Sequence, residues 1–227
     1  MSQPRIVFLF DVDNTLLDND HVTADLRRFL TEQVGPDEQM RYFAIFEQLR
    51  SELGYADYLG SLQEYRRQRP QDTKIVNVSL FLLNYPFADR LYPRALEVIE
   101  QTKRMGTAAI LSDGDVVFQP HKIENSGLWA AFNGNVLLYI HKEQELDAVQ
   151  DQFPADHYVM LDDKLRILDA MKKIWGSRLT TVFVRQGHYA HDPKHLTGYA
   201  PADVTLEGIG DMWDYDIEEL LAATRAS

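Results

Sequence analysis

A chain of 227 residues with an ordinary globular composition has the length for one well-buried α/β domain and a modest insertion. Cysteine is absent, which excludes disulfides, thiolate metal sites and a cysteine nucleophile. The formal net charge of −12 argues against nucleic acid as a partner, and a phosphorylated substrate would need local Lys, Arg or a bound cation to enter.

Residues 6–10 form an unbroken apolar run of branched and aromatic side chains, the pattern of a strand buried on both faces of a parallel sheet. The run is too short for a signal peptide or a membrane span, and no later segment reaches spanning length without charges. A cytoplasmic protein with no membrane partner is therefore expected. The strand ends at Asp11, and Asp13, Asn14 and Thr15 follow. Open α/β sheets place their ligands at the carboxyl ends of strands. In extended chain, residues two apart project to the same side. Asp11 and Asp13 can thus share one site, either around a hard cation such as Mg²⁺ or as a nucleophile beside an acid/base.

From about residue 22 to 83 the spacing is helical, with Gly35-Pro36 and Gly54 as breaks and further helices at 57–69 and 73–83. A helical block of this size after a first strand breaks a plain alternating layout and reads as a separate small bundle. Its Arg66, Arg67 and Arg69, near Tyr55, Tyr58 and Tyr65, read as a solvated face with packing tyrosines before they read as a substrate lid.

A helix over 93–105 leads to a second apolar strand at 107–111, followed by Ser112-Asp113-Gly114-Asp115. Such a turn can offer a hydroxyl and backbone N–H groups to a phosphate. A mixed region at 116–135 contains Lys122, and a third strand at 136–140 is followed by His141, Lys142 and Glu143. After a helix at 143–153, a fourth strand at 157–161 ends in Asp162-Asp163. These carboxylates suit a ligand set at the sheet edge, and Asp163 equally suits the cap of a helix at 164–175. A fifth strand at 179–184 leads into a loop with His188, His191 and His195, which reads as a loop near the substrate mouth rather than a transition-metal site. A short strand at 202–206 and a helix at 213–223 close the chain.

Asp11-Val12-Asp13-Asn14-Thr15 resembles the first motif, Asp-x-Asp-x-Thr, of the haloacid dehalogenase (HAD) superfamily. Ser112 stands where the family has its second motif, and Asp162-Asp163 resembles an adjacent-pair fourth motif. Lys142 matches the third-motif lysine, although Glu143 stands where proline is common, and Lys122 is the alternative because some members take this lysine from an earlier helix.

The resemblance implies a doubly wound parallel α/β sheet, Rossmann-like, over residues 1–17 and 89–227, with an inserted α-helical cap domain over 18–88. It implies Asp11 as nucleophile and Asp13 as acid/base. Ser112, the N–H of Asp113 and Lys142 would bind phosphate. Mg²⁺ would be held by Asp11, the Asp13 backbone carbonyl, Asp163 and its neighbour Asp162. Asp at the second motif position resembles the phosphatase branches. The expected activity is Mg²⁺-dependent hydrolysis of a small phosphorylated metabolite through an aspartyl-phosphate. A phosphomutase, a dehalogenase and a non-catalytic binding member are the rivals. Substrate identity and oligomeric state leave no mark on the sequence.

Overall fold

The computed structural model describes residues 4–224. Strand β1 (Ile6–Phe10) is buried along its whole length. Its side chains alternate, so Ile6, Phe8 and Phe10 enter one core while Val7 and Leu9 enter another on the opposite face. That two-sided burial is why the run carries no polar residue.

Four helices then interrupt the sheet: α1 (Asn19–Val34), α2 (Pro36–Leu53), α3 (Tyr58–Gln68) and α4 (Ile75–Leu83). Gly35, at φ 92°, makes the sharp corner between α1 and α2, and Pro36 occupies the first turn of α2, where its missing N–H costs nothing. Asp57 caps α3 by accepting from the Gly60 N–H at 2.6 Å. Tyr42, Phe46, Leu62, Tyr65 and Val78 are buried between these helices, and their cluster runs on into the sheet core that contains Phe8 and Phe10.

The chain continues through α5 (Ala95–Met105), β2 (Thr107–Asp113), α6 (Phe118–Asn125), α7 (Leu128–Ala131) and β3 (Val136–Tyr139). It returns through α8 (Leu146–Gln152), β4 (His157–Asp162), α9 (Leu165–Trp175) and β5 (Leu179–Val184). The last elements are α10 (Pro193–Leu196), β6 (Val204–Leu206) and α11 (Ile217–Ala223). The six strands pair in parallel in the order β3-β2-β1-β4-β5-β6. Residues of α5, α6, α7 and α11 pack on the Phe8 face, and residues of α8 and α9 on the Leu9 face. The sheet is thus doubly wound. Because the order reverses beside β1, the loops after β1 and β4 diverge and open a crevice at their carboxyl ends.

Several boundaries differ from the sequence reading. Helix α5 starts two residues after Pro93, because Arg94 adopts a left-handed conformation at φ 64° and turns the chain first. The mixed region before β3 resolves into α6 and α7, and β2 runs on through Ser112 and Asp113. The closing helix begins only at Ile217, behind an Asp216/Glu219 capping box, while Trp213 lies in a preceding 3-10 turn, Ile209–Asp214. Asp163 does not cap α9, whose first turn carries no side-chain cap.

Candidate active site at the carboxyl edge of the sheet

Strand β1 delivers Asp11 to the crevice, β2 delivers Ser112 and Asp113, and β4 delivers Asp162 and Asp163. Lys142 enters from the 3-10 turn after β3 and is fully buried. Its Nζ donates to Asp11 Oδ1 at 2.6 Å and to the Leu111 carbonyl at 3.1 Å, and it lies 2.7 Å from Asp162 Oδ2. Burial opposes charge on Lys142, but Asp11, Asp162 and Asp113 outweigh it and hold the ammonium group above its ordinary pKa. Asp113 fixes the turn that presents this lysine, accepting from the Lys142 backbone N–H at 2.8 Å.

Asp11 has the balance expected of a nucleophile. Burial pushes its carboxyl up, yet the Lys142 and Lys164 charges more than offset that and leave it below the usual carboxylate range. It is therefore ionised at neutral pH. Thr15 donates weakly to its second oxygen at 3.4 Å.

Asp13 points to a different lysine. Lys122, buried on α6, donates to Asp13 Oδ1 at 2.5 Å and to Asn19 Oδ1 at 3.3 Å. Lys142 and Lys122 thus both reach the site, one on each carboxylate of the first motif. Ser112 is buried, donating to the Asp113 carbonyl at 3.3 Å and accepting from Gln119 Nε2 at 3.1 Å.

The fourth-strand pair divides its work. Asp162 Oδ1 accepts from the Lys164 N–H at 2.8 Å, which ties down the start of α9. Asp163 is buried, and neither of its carboxylate oxygens has a hydrogen-bond partner. Lys164 Nζ approaches only to 3.9 Å. Burial pushes both carboxyls up, Asp163 furthest. Asp11, Asp162 and Asp163 each place an oxygen within 4.8 Å of the others. A buried all-carboxylate set with unpartnered oxygens fits a small hard cation of the Mg²⁺ kind. The Asp13 side chain, held by Lys122, stands outside that set.

Above these residues lies a cleft of about 710 Å³ between the sheet edge and the helical insertion. The loop after β5 forms one rim. His188 donates its backbone N–H to Asp20 Oδ2 at 2.7 Å, and its Nδ1 lies 2.6 Å from Asp20 Oδ1. Gly187 makes this approach possible: it sits at φ 66°, and a Cβ there would meet the Asn14 side chain at 2.5 Å. His188 and His195 line the cleft with Tyr189 and Tyr199, whereas His191 does not. Among the described residues, no histidine belongs to a cluster able to hold a metal ion. Arg67 pairs with Glu64 and Arg69 with Glu38, and none of Arg66, Arg67 and Arg69 lines the cleft.

The family description "haloacid dehalogenase-like hydrolase" matches residues 7–174. The chain belongs to the HAD-like hydrolases. Among solved structures, a protein assigned to the same group from Burkholderia xenovorans LB400 is 60% identical, with a TM-score of 0.91 over 96% of this chain and 99% of that one. The magnesium-bound HAD-hydrolase YfnB of Bacillus subtilis is 15% identical, with a TM-score of 0.62 over 93% of this chain and 98% of its own. L-2-haloacid dehalogenase from Xanthobacter autotrophicus, with chloropropionic acid covalently bound, is 16% identical, with a TM-score of 0.60 over 91% and 96%. The last two share the fold. No functionally curated protein matches the chain.

In this HAD-like hydrolase the sequence reading overlooked the walls of the cleft. Lys164, Arg27 and Arg50 line it, as do Asn19 and Gln119. Lys164 was open to notice as the residue after an Asp pair. Arg27 and Arg50 sit among many surface arginines, and nothing local marks the helix face on which each stands.

Proposed function

We propose that this protein is a Mg²⁺-dependent phosphatase that hydrolyses a small phosphorylated metabolite through an aspartyl-phosphate on Asp11. The observation carrying this reading is the second carboxylate, Asp13, held by its own lysine at the mouth of the Asp11 site. An alkoxide leaving group needs a proton, whereas a halide leaves without one, so a positioned acid has a task in the first step of ester cleavage that halide departure does not set.

In the first step an Asp11 oxygen attacks phosphorus in line, the P–O ester bond breaks, and Asp13, entering the step as the carboxylic acid that the second step regenerates, gives its proton to the departing oxygen. In the second, Asp13 takes a proton from water as that water attacks the aspartyl-phosphate, which releases phosphate and restores Asp11. Lys142 faces the Asp11 carboxylate and is the donor best placed for the phosphoryl oxygens, with Ser112 and the Asp113 N–H as further donors. Asp11, Asp162, Asp163 and the Asp13 carbonyl would hold Mg²⁺, which when bound supplies positive charge between carboxylate and phosphate. Residues 18–88 act as the cap over a core of residues 1–17 and 89–227.

Phosphate release from a panel of phosphorylated metabolites, with and without Mg²⁺, tests the proposal. Release that requires Mg²⁺ and vanishes in a folded Asp11→Asn variant is the expected result. Halide release from 2-haloacids, or isomerised phosphate esters without free phosphate, would assign the site to a dehalogenase or a phosphomutase instead.

A further inference from the structure

We propose that Arg27 anchors a second anionic group on the substrate, so that the preferred substrates are phosphate monoesters carrying a carboxylate or another phosphate at their far end. The proposal rests on the phosphatase reading for the identity of the reacting group, and on the cleft wall for everything else.

Helix α1 supplies the ruler. Asn19, Thr23 and Arg27 recur every four residues, and all three line the cleft, so one face of the helix forms its wall. Asn19 marks the chemical end, since its Oδ1 accepts from the same Lys122 that holds Asp13. Eight residues along the axis, roughly 12 Å further at 1.5 Å per residue, stands Arg27. Between them the Tyr58 hydroxyl lies 3.1 Å from Thr23 Oγ1 and 3.4 Å from Asn19 Nδ2, which makes the stretch polar without adding charge.

Arg27 differs from the arginines around it. Arg28 pairs with Asp25 at 2.7 Å, Arg50 with Glu47 at 3.5 Å and Arg166 with Glu143 at 2.5 Å. Among the described residues Arg27 has no carboxylate partner. Its guanidinium carbon instead lies 3.5 Å from the centroid of the Phe43 ring. Stacking on an aromatic face leaves the in-plane N–H groups of a guanidinium free, and those groups match a carboxylate or phosphate in a two-pronged contact.

The cleft's own carboxylates are engaged elsewhere. Asp13 takes Lys122, Asp20 takes His188, Asp113 takes the Lys142 N–H, and Glu47 lies beside Arg50. An unpaired, oriented cation at the far end of a cleft whose near end binds phosphate selects a ligand with anions at both ends.

The test compares kcat/KM for three ester series of increasing chain length: ω-phosphorylated carboxylic acids, α,ω-bisphosphates, and alkyl phosphates lacking a second anion. Wild type is expected to favour one of the doubly anionic series by roughly 10- to 100-fold at its best length, as one charge-assisted contact allows. In Arg27→Ala that ratio should collapse, chiefly through KM, while Arg27→Lys retains part of it. The series that loses most identifies the second anion as carboxylate or phosphate. No preference in wild type, or an equal loss for all three series, would overturn the proposal. Wild-type preference and the Lys variant decide the matter if the Ala variant fails to fold. Phosphonate counterparts, followed by thermal shift, keep the two readings apart. If no ester is hydrolysed but phosphonocarboxylates stabilise wild type and not Arg27→Ala, the phosphatase reading fails and the anion subsite stands. If they stabilise both proteins equally, the subsite falls.

Discussion

The two aspartates of the first motif sit only two residues apart on the chain, yet each pairs with a different lysine in a different environment. Lys142 and Asp11 are both buried, and the lysine is shared with Asp162. Lys122 is buried too, but its partner Asp13 is a quarter exposed at the floor of the cleft. The first pair cannot change partners without leaving a charge in a dry site. The second has one member open to whatever enters. A nucleophile gains from the first arrangement, since its charge state and position are set before substrate arrives. A proton shuttle gains from the second, since it must exchange protons with the leaving group and with water.

The largest effect expected from this contrast is on Lys142→Ala. Removing the lysine leaves Asp11 and Asp162 buried without their common counter-charge, which typically costs about 3–5 kcal/mol. Urea unfolding of the metal-free protein should show it, and Mg²⁺ should restore part of the loss. Lys122→Ala removes a pair whose carboxylate can turn to solvent, so its loss should be markedly smaller. Equal losses would mean that the two pairs are energetically alike.

A smaller effect concerns Asp163, whose buried oxygens have no hydrogen-bond partner. In the absence of metal, Asp163→Asn should be as stable as wild type or more so, by about 1–3 kcal/mol, because a buried unpaired carboxylate is costly. In Mg²⁺ the order should reverse, since wild type gains binding energy that the variant lacks. Thermal unfolding with Mg²⁺ and with EDTA reads both arms, and a metal-induced rise of equal size in the two proteins would remove Asp163 from the cation site.

The smallest effect lies within α1, where Asp25 and Arg27 share a helix but face different surroundings. Asp25 accepts from the Tyr85 hydroxyl at 2.6 Å and from Arg28 and Arg90 at 2.7 and 3.2 Å. Burial raises its carboxyl, but the Tyr85 and Arg90 hydrogen bonds overcome this and set the pKa below the ordinary 3.8, while the Tyr85 hydroxyl is pushed up to about 12. A carboxyl with a depressed native pKa contributes stability above its unfolded pKa and loses it as pH falls through the native one. The stability gap between wild type and Asp25→Asn should therefore narrow as pH falls below about 4. A gap that does not change down to pH 3 would separate Asp25 from the charge network.

Residues that punctuate strands were the most legible part of this chain. Asp11 ends a run of five apolar residues, and Asp162-Asp163 ends another, so each stood out against its neighbours in one dimension. The order of the strands followed from apolar spacing, because burial on two faces demands it, whereas the short helices α6, α7 and α10 left no such pattern. Terminal details were less visible: nothing near Pro93 announces that Arg94 turns left-handed before α5 begins.

Read along the chain, the residues are enough to specify a parallel α/β sheet interrupted by helices, with acidic residues crowding the ends of its strands. These are properties of local pattern, written in side-chain periodicity. Folding in three dimensions was needed to settle which lysine serves which aspartate, that Asp163 is left without a partner rather than capping α9, and that Arg27 rather than Arg66 or Arg67 looks into the cleft. Each depends on how far apart in space residues lie that are more than a hundred positions apart in sequence, or on the rotation of a helix about its own axis. Packing sets both quantities.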